Sequence, residues 1–303
     1  MGTRAHTVPR FYLRGFLDPL SESNKDPWVW IGDITTGEIK RRSPKNISIV
    51  SGLYDGPGGF ENLNASLEKH LSNIETAAAF GIRRIAASRV GENLAIPPEV
   101  WRFLAWQAAR TPGWMRLNAE WVKNELWMSD SVVEPPPDGF DDIEARHRLL
   151  LVENPETQER REVSSDAFEE YHLEGWQLIL RNDDHLELLH LQAWYFQVRH
   201  FPRLSWARLD APPNEWFVTS DRVVTWLVDG LADTPPAALR DPLAELVAPL
   251  TRKTVLFGRN ATGKLDVRPE EINRFVASTA SEWIAGPTMA IIERTLNDLQ
   301  EIR

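Results

Sequence analysis

The sequence predicts an α+β fold: a predominantly helical single domain over 1–303, with a small antiparallel sheet joining its N- and C-terminal regions. Three observations carry this expectation. Short runs rich in β-branched and aromatic residues lie near both ends of the chain. Helical periodicity fills much of the stretch between them. A lone hairpin is only marginally stable, so the strands at the two ends need each other as partners.

The elements follow in order. Pro9 suits the first turn of a short helix, which Phe11, Tyr12 and Phe16 would anchor. Residues 28–34 (Trp-Val-Trp-Ile-Gly-Asp-Ile) read as a strand, Thr35 to Gly37 as a turn, and Glu38 to Arg42 as the return strand. Gly56-Pro-Gly-Gly59 is a breaker. Leu67, Leu71, Ile74, Ala78, Ile82 and Ile85 recur at spacings of three and four, predicting a helix over 63–88. Pro97-Pro98 opens a second helix through about Arg110, which Pro112 ends or bends. A third helix is expected over 114–128. Residues 129–165 are acidic and contain Pro135-Pro-Pro137, the pattern of a peripheral loop or insertion. Helices resume over 166–200. A hairpin is expected from 205–210 and 216–220, around Pro212-Pro-Asn214. A further strand is expected over 253–258, then helices over 269–284 and 290–302. The chain shows no internal repeat.

Composition narrows the function classes. With 42% hydrophobic and 26% charged residues, the chain has the balance of a soluble globular protein. No run approaches the roughly 18 apolar residues of a membrane span, and the N-terminus lacks the segments of a signal peptide. No membrane partner is expected. The absence of cysteine excludes disulfides, thiolate catalysis and Cys-ligated zinc, and fits a cytoplasmic protein. The net charge of −10 argues against a broad basic nucleic-acid surface, but leaves room for a local nucleic-acid groove. Thirteen tryptophans are read first as packing residues. A stacking surface for bases or sugars is the second reading.

Several motifs stand in a fixed order. The chain opens His6-Thr-Val-Pro9-Arg-Phe11-Tyr12-Leu13-Arg14-Gly-Phe16. Leu53-Tyr54 precedes the first long helix, which carries Leu67-Glu68-x-x-Leu71-x-x-Ile74-Glu75. Leu104-Ala-Trp-Gln107-Ala-Ala-Arg110-Thr-Pro112 follows, then Phe217-Val-Thr-Ser220-Asp221, Pro249-Leu250 and Asn273. Together these resemble a family of uncharacterised, mostly bacterial proteins defined by a domain of unknown function. Its signature is H-x-x-P-x-F/Y-x-L-R-x-F, with a later F-x-T-S-D-x-P. The resemblance covers most of the chain but skips the acidic segment. Val223 replaces the usual proline, so a different turn is expected after Asp221. The resemblance implies a shared fold and a set of positions to inspect; it implies no activity.

Those positions include chemically capable groups. Glu68 and Glu75 lie seven residues apart on one helix, so both carboxylates share a stripe, their Cα atoms about 10.5 Å apart. They suit a hard cation such as Mg²⁺ or Mn²⁺, or an ion pair with Arg14 or Arg110. Gln107 and Arg110 share a face; Arg110 can hold a phosphate or lock Glu75. His6 can be a metal ligand, a general base or a structural hydrogen-bonding residue. Asp221, at a strand end, can cap a turn or act as a catalytic carboxylate. His6, Glu68, Glu75 and Asp221 therefore form a candidate Mg²⁺ or Mn²⁺ set for a metal-dependent hydrolase, one acting on a phosphodiester. Arg110 and Gln107 would stabilise developing negative charge. The alternative is a non-catalytic binding or regulatory protein, in which the same residues form a structural polar network.

Other signals carry less. Gly258-x-x-x-x-Gly263-Lys264 lacks the Ser/Thr of a phosphate loop, since Leu265 follows, and reads as a hairpin turn. Glu144/His147, Glu169/His172 and Glu187/His190 have the spacing of di-iron carboxylate bundles, a third reading that the family motifs do not support.

Overall fold

A computed structural model describes residues 4–51, 61–88, 95–110, 150–163, 174–179, 193, 201, 204–228, 231–233, 245–259 and 267–301. The fold is mixed α+β. The expectation of a predominantly helical chain is corrected: fourteen strands and five α-helices are found among the described residues.

The opening strand β1 (Arg4–His6) leads into α1 (Arg10–Leu13), for which Pro9 is the N-cap. The expected hairpin is formed by β2 (Val29–Asp33) and β3 (Ile39–Arg42). Gly37 supplies the positive φ of 71° that its turn requires. Strand β4 (Ile49–Ser51) returns to β1, pairing His6 with Ile49. The two long helical patterns become α2 (Glu61–Ala87) and α3 (Pro98–Ala109).

A three-stranded sheet follows: β5 (Leu150–Glu153), β6 (Arg160–Val163) and β7 (Gln177–Ile179), with β5 central. This corrects two expectations. The acidic segment is not loop throughout, because residues 150–163 form a hairpin, and residues 177–179 are not helical. Residues 129–149, the third helix over 114–128 and all three Glu-x-x-His pairs lie outside the described residues.

The C-terminal half is built on two sheets. Strands β8 (Ser205–Asp210), β10 (Thr225–Val228), β11 (Leu231–Asp233), β12 (Glu245–Thr251) and β13 (Thr254–Arg259) form a five-stranded sheet in the order β11-β10-β12-β13-β8. The expected 205–210/216–220 hairpin is therefore absent. β8 pairs with β13 instead, while β9 (Thr219–Ser220) joins the other sheet. That sheet has the order β3-β2-β14-β9, where β14 (Trp283–Gly286) lies between the N-terminal hairpin and β9. Both ends of the chain thus meet in one antiparallel sheet, as expected. Its central strand sits where the sequence suggested helix: α4 (Pro269–Thr279) ends before β14, and α5 (Met289–Gln300) follows it.

Alternation along these strands separates two apolar cores. Val29, Ile31, Trp283 and Ala285 belong to a cluster with α1, α2 and α3, and Leu246, Ala248 and Leu256 from the larger sheet join it. Ile284, Val247, Val255, Phe257 and Leu227 face a second cluster completed by α4 and α5. Gly32 is required by the second core. A Cβ there would stand 2.6 Å from Ile292 and 3.0 Å from Leu296, so α5 packs directly on the strand backbone. No helix among the described residues is long and apolar enough to cross a membrane.

Candidate functional site

The opening segment, α2 and α3 bring three of the expected residues together. Arg110, just past the end of α3, is almost fully buried, with 2% of its side chain exposed. Its Nη2 donates to Glu75 Oε1 at 3.1 Å. Gln107, one turn earlier, is also buried. In the amide orientation that satisfies both of its ends, its oxygen accepts from Arg110 Nε and Nη2 at 2.9 and 2.6 Å. Its nitrogen donates to the Thr7 carbonyl at 3.2 Å. A continuous chain of polar contacts therefore runs from α2 through α3 to the opening motif. A buried guanidinium is tolerable only with such partners.

The other expected residues lie apart from this chain. His6 Nδ1 lies 3.2 Å from the Ile47 carbonyl, a contact that fastens β1 to the segment before β4. Neither His6 nor Arg14 provides the Glu75 partner; Arg110 does, and Arg14 is exposed. Glu68 lies on α2, but its side chain is outside the described residues. Among the described residues, no three His, Asp or Glu groups gather to hold a metal ion.

Asp221 occupies the joint between β9 and β10, where the chain leaves one sheet for the other. Both of its carboxylate oxygens accept from the Ser281 backbone N–H, at 3.0 and 3.1 Å. Its own N–H donates to the Trp283 carbonyl. It thus fastens the α4–β14 turn to the sheet joint. Burial pushes the Asp221 carboxyl above its usual range, against the opposing pull of the Ser281, Glu282 and Trp283 backbone N–H groups and Arg222.

The rest of the F-x-T-S-D segment is also occupied. Phe217 and Val218, though adjacent, both face the second core, so the side chains do not alternate there. The cause is Asn273 on α4. Its amide accepts from Val218 N–H at 2.9 Å and donates to the Trp216 carbonyl at 2.9 Å, holding 216–218 out of the sheet ladder. Ser220 Oγ bonds the Arg222 backbone. The position of the family's proline is filled by Val223, which is fully buried.

Tyr12 is the junction that spacing did not reveal. It packs against Phe16 and Phe103, with ring centroids 5.3 and 5.9 Å away. Its hydroxyl donates to the Pro249 carbonyl at 2.6 Å and lies 2.8 Å from Thr219 Oγ1. With its only proton committed to Pro249, Tyr12 accepts from Thr219. That carbonyl is free on one side because β10 follows β12 only as far as Val247. Burial pushes the Tyr12 hydroxyl well above its usual range. Three family motifs thus converge on one phenol. The sequence offered a signal: a tyrosine inside an otherwise apolar anchor needs a polar partner. Ser48, beside His6, was also missed. It has a left-handed φ of 58°, and its buried hydroxyl has no partner among the described residues.

Comparison with known proteins decides the family. The family described as "Protein of unknown function (DUF4238)" matches residues 4–288. The chain belongs to that family. No curated protein and no solved structure matches. The family is one without an assigned activity, and the chain is accordingly uncharacterised in function.

Proposed function

We propose that this is a non-catalytic binding protein, whose family motifs form the polar scaffold joining the two ends of the chain. One observation carries the reading: the buried polar side chains of the motifs have partners within the chain. Glu75, Arg110, Gln107 and Thr7 form one set. Tyr12, Thr219 and Pro249 form the second, and Asp221 with Ser281 the third. A hydrolytic centre would instead aim several of these groups into a shared cleft. The same ties, which join the opening segment to the C-terminal sheets, support one domain over 1–303. The cysteine-free composition supports a cytoplasmic setting.

Thermal melts with and without Mn²⁺ or Mg²⁺ test the reading against the metal-hydrolase alternative built on His6, Glu68, Glu75 and Asp221. A metal that binds only the folded state raises the melting temperature. The scaffold reading expects no shift in the wild type and a lower melting temperature for Glu75→Gln. A metal-dependent rise that Glu75→Gln abolishes, or metal-dependent cleavage of a generic phosphodiester that it abolishes, would overturn it.

A further inference from the structure

Between α4, α5 and the loop 211–218 that precedes β9 lies a cleft of about 170 Å³. The loop wall is fixed by side chains from two directions in sequence. Lys253 Nζ donates to the Pro212 and Glu215 carbonyls at 3.0 and 2.7 Å, and lies 4.0 Å from the centroid of the Trp216 ring. From α4, Asn273 holds the Trp216 carbonyl and the Val218 N–H. A loop tied down in this way needs little further ordering when a ligand binds. Ile291, which is buried, and Trp216, which is half-buried, give the cleft its apolar surface.

The polar groups of the cleft are sorted by element. α5 and its N-cap contribute the Arg294 guanidinium and the Thr288 hydroxyl, whereas α4 and the loop contribute the Glu270 and Glu215 carboxylates. Glu270 and Arg294 stand 4.0 Å apart, at the outer limit of an ion pair, and are 43% and 58% exposed. A pair so loose and so wet does little to hold α4 on α5. Ile272, Val276, Ile292 and Leu296 do that in the second core. Donor capacity is also left over. Thr288 Oγ1 accepts from Ile291 N–H, and its own proton has no acceptor among the described residues. Asn273 is buried; one of its amide protons goes to the Trp216 carbonyl, and the other has no acceptor among the described residues. A buried amide proton at the wall of a cleft calls for an oxygen inside it.

We propose that this cleft binds a free α-amino acid with an apolar side chain. The ligand carboxylate accepts from Arg294, Thr288 and Asn273. Its ammonium donates to Glu270 and Glu215, and its side chain lies against Ile291 and Trp216. Glu270 and Arg294 are exposed enough to part around the ligand, which replaces one loose ion pair with two charge-assisted contacts. A simple anion would leave both carboxylates beside it, and a simple cation would leave Arg294 beside it. A molecule that carries both charges answers both walls, and the small volume selects a single amino acid over a peptide. The inference deepens the binding-protein reading by naming a ligand class, and it rests on that reading.

The test is isothermal titration calorimetry of the full chain with three probes: L-leucine, leucinamide, which lacks the carboxylate, and 4-methylpentanoate, which lacks the amine. L-Leucine should bind, and each trimmed probe should bind about 10-fold more weakly, the loss of one charged hydrogen-bonding group. Arg294→Ala should erase the advantage of L-leucine over leucinamide. Glu270→Gln should erase its advantage over 4-methylpentanoate. Arg83→Ala, on the exposed face of α2, should change neither. If Glu270→Gln lowers the melting temperature, Arg294→Ala carries the test, since its side chain is the more exposed. Absence of L-leucine binding at millimolar concentration, or binding indifferent to both variants, would overturn the proposal. So would equal binding of 4-methylpentanoate, which would make the cleft a simple anion site. The melting experiments on Glu75→Gln read the scaffold separately, so failure of the cleft and failure of the scaffold are told apart.

Discussion

The two polar junctions of this protein are held by different chemistry. At the opening segment, a buried cation is surrounded by side chains: Arg110 holds Glu75 and Gln107, and Gln107 holds Thr7. At the sheet joint, one buried carboxylate is held by backbone N–H groups, with Asp221 bonded to Ser281. The first depends on opposite charge between helices. The second depends on the chain bringing a turn to the end of a strand. The difference matters for stability, because a broken ion pair strands a charge, whereas a broken cap strands only dipoles.

The most damaging change should therefore be Arg110→Ala. It removes the guanidinium on which Glu75 and Gln107 converge and leaves a cavity at the end of α3. A loss of about 3–5 kcal/mol is expected in denaturant melts. A loss below about 1 kcal/mol would show that the opening network is peripheral and that its charge is no costlier to strand than the dipoles of the sheet joint.

Tyr12→Phe comes next. It deletes one oxygen and keeps the aromatic packing on Phe103. The Pro249 carbonyl loses its donor and Thr219 its acceptor, so a loss of about 1–3 kcal/mol is expected. Thr219→Val should cost less, because Tyr12 keeps its bond to Pro249. If the two variants cost the same, the Thr219 contact carries the junction.

These two junctions also mark what the sequence made legible. Spacing placed Gln107 and Arg110 on one face, and Glu75 on a stripe bordering the core, so the opening network could be drawn as an alternative to a metal site. Helix boundaries near Pro98 and Ala87 followed from proline and from the apolar period. The β2–β3 hairpin followed from Gly37 and its flanking residues. The sheet joint was illegible for a physical reason. β14 is four residues long, follows a helix directly, and acquires its identity only from β2 and β9, which are distant in sequence. The same holds for β12: its run Glu245–Thr251 is buried on both faces, so it shows no alternation. Without such strands the sequence reads as predominantly helical. A capping role was one of the two readings open for Asp221, but its distant partner was hidden, because the Ser281 backbone N–H is a group that no motif encodes.

Glu75→Gln is the third test. It keeps the shape of the side chain and a hydrogen-bond acceptor for Arg110, but removes the counter-charge. The Glu75 side chain is 27% exposed, so solvent shares in neutralising Arg110. A loss of about 1–2 kcal/mol is expected, smaller than for Arg110→Ala. Arg110→Ala combined with Glu75→Gln should cost little more than Arg110→Ala alone. Fully additive losses would mean that the two residues act independently and that the network is not a unit.

The smallest expected effect is the pH dependence of Asp221→Ala, and it separates the two kinds of junction most directly. The folded carboxyl of Asp221 is raised above its reference value of 3.8, with burial as the leading cause. Between the unfolded and folded values the native state binds more protons than the unfolded chain. The contribution of Asp221 is therefore largest below the unfolded value and is lost as pH rises through the folded one. The stability gap between wild type and Asp221→Ala should widen as pH falls from neutral toward 4. A carboxylate held mainly by a cation behaves oppositely: its folded value is depressed, and its contribution is lost on acidification. Arg222 and the backbone N–H groups pull in that direction. Urea melts of both proteins across this range decide between them. A gap that narrows on acidification would mean that the donors outweigh burial, and that the sheet joint is held by the same electrostatics as the opening network.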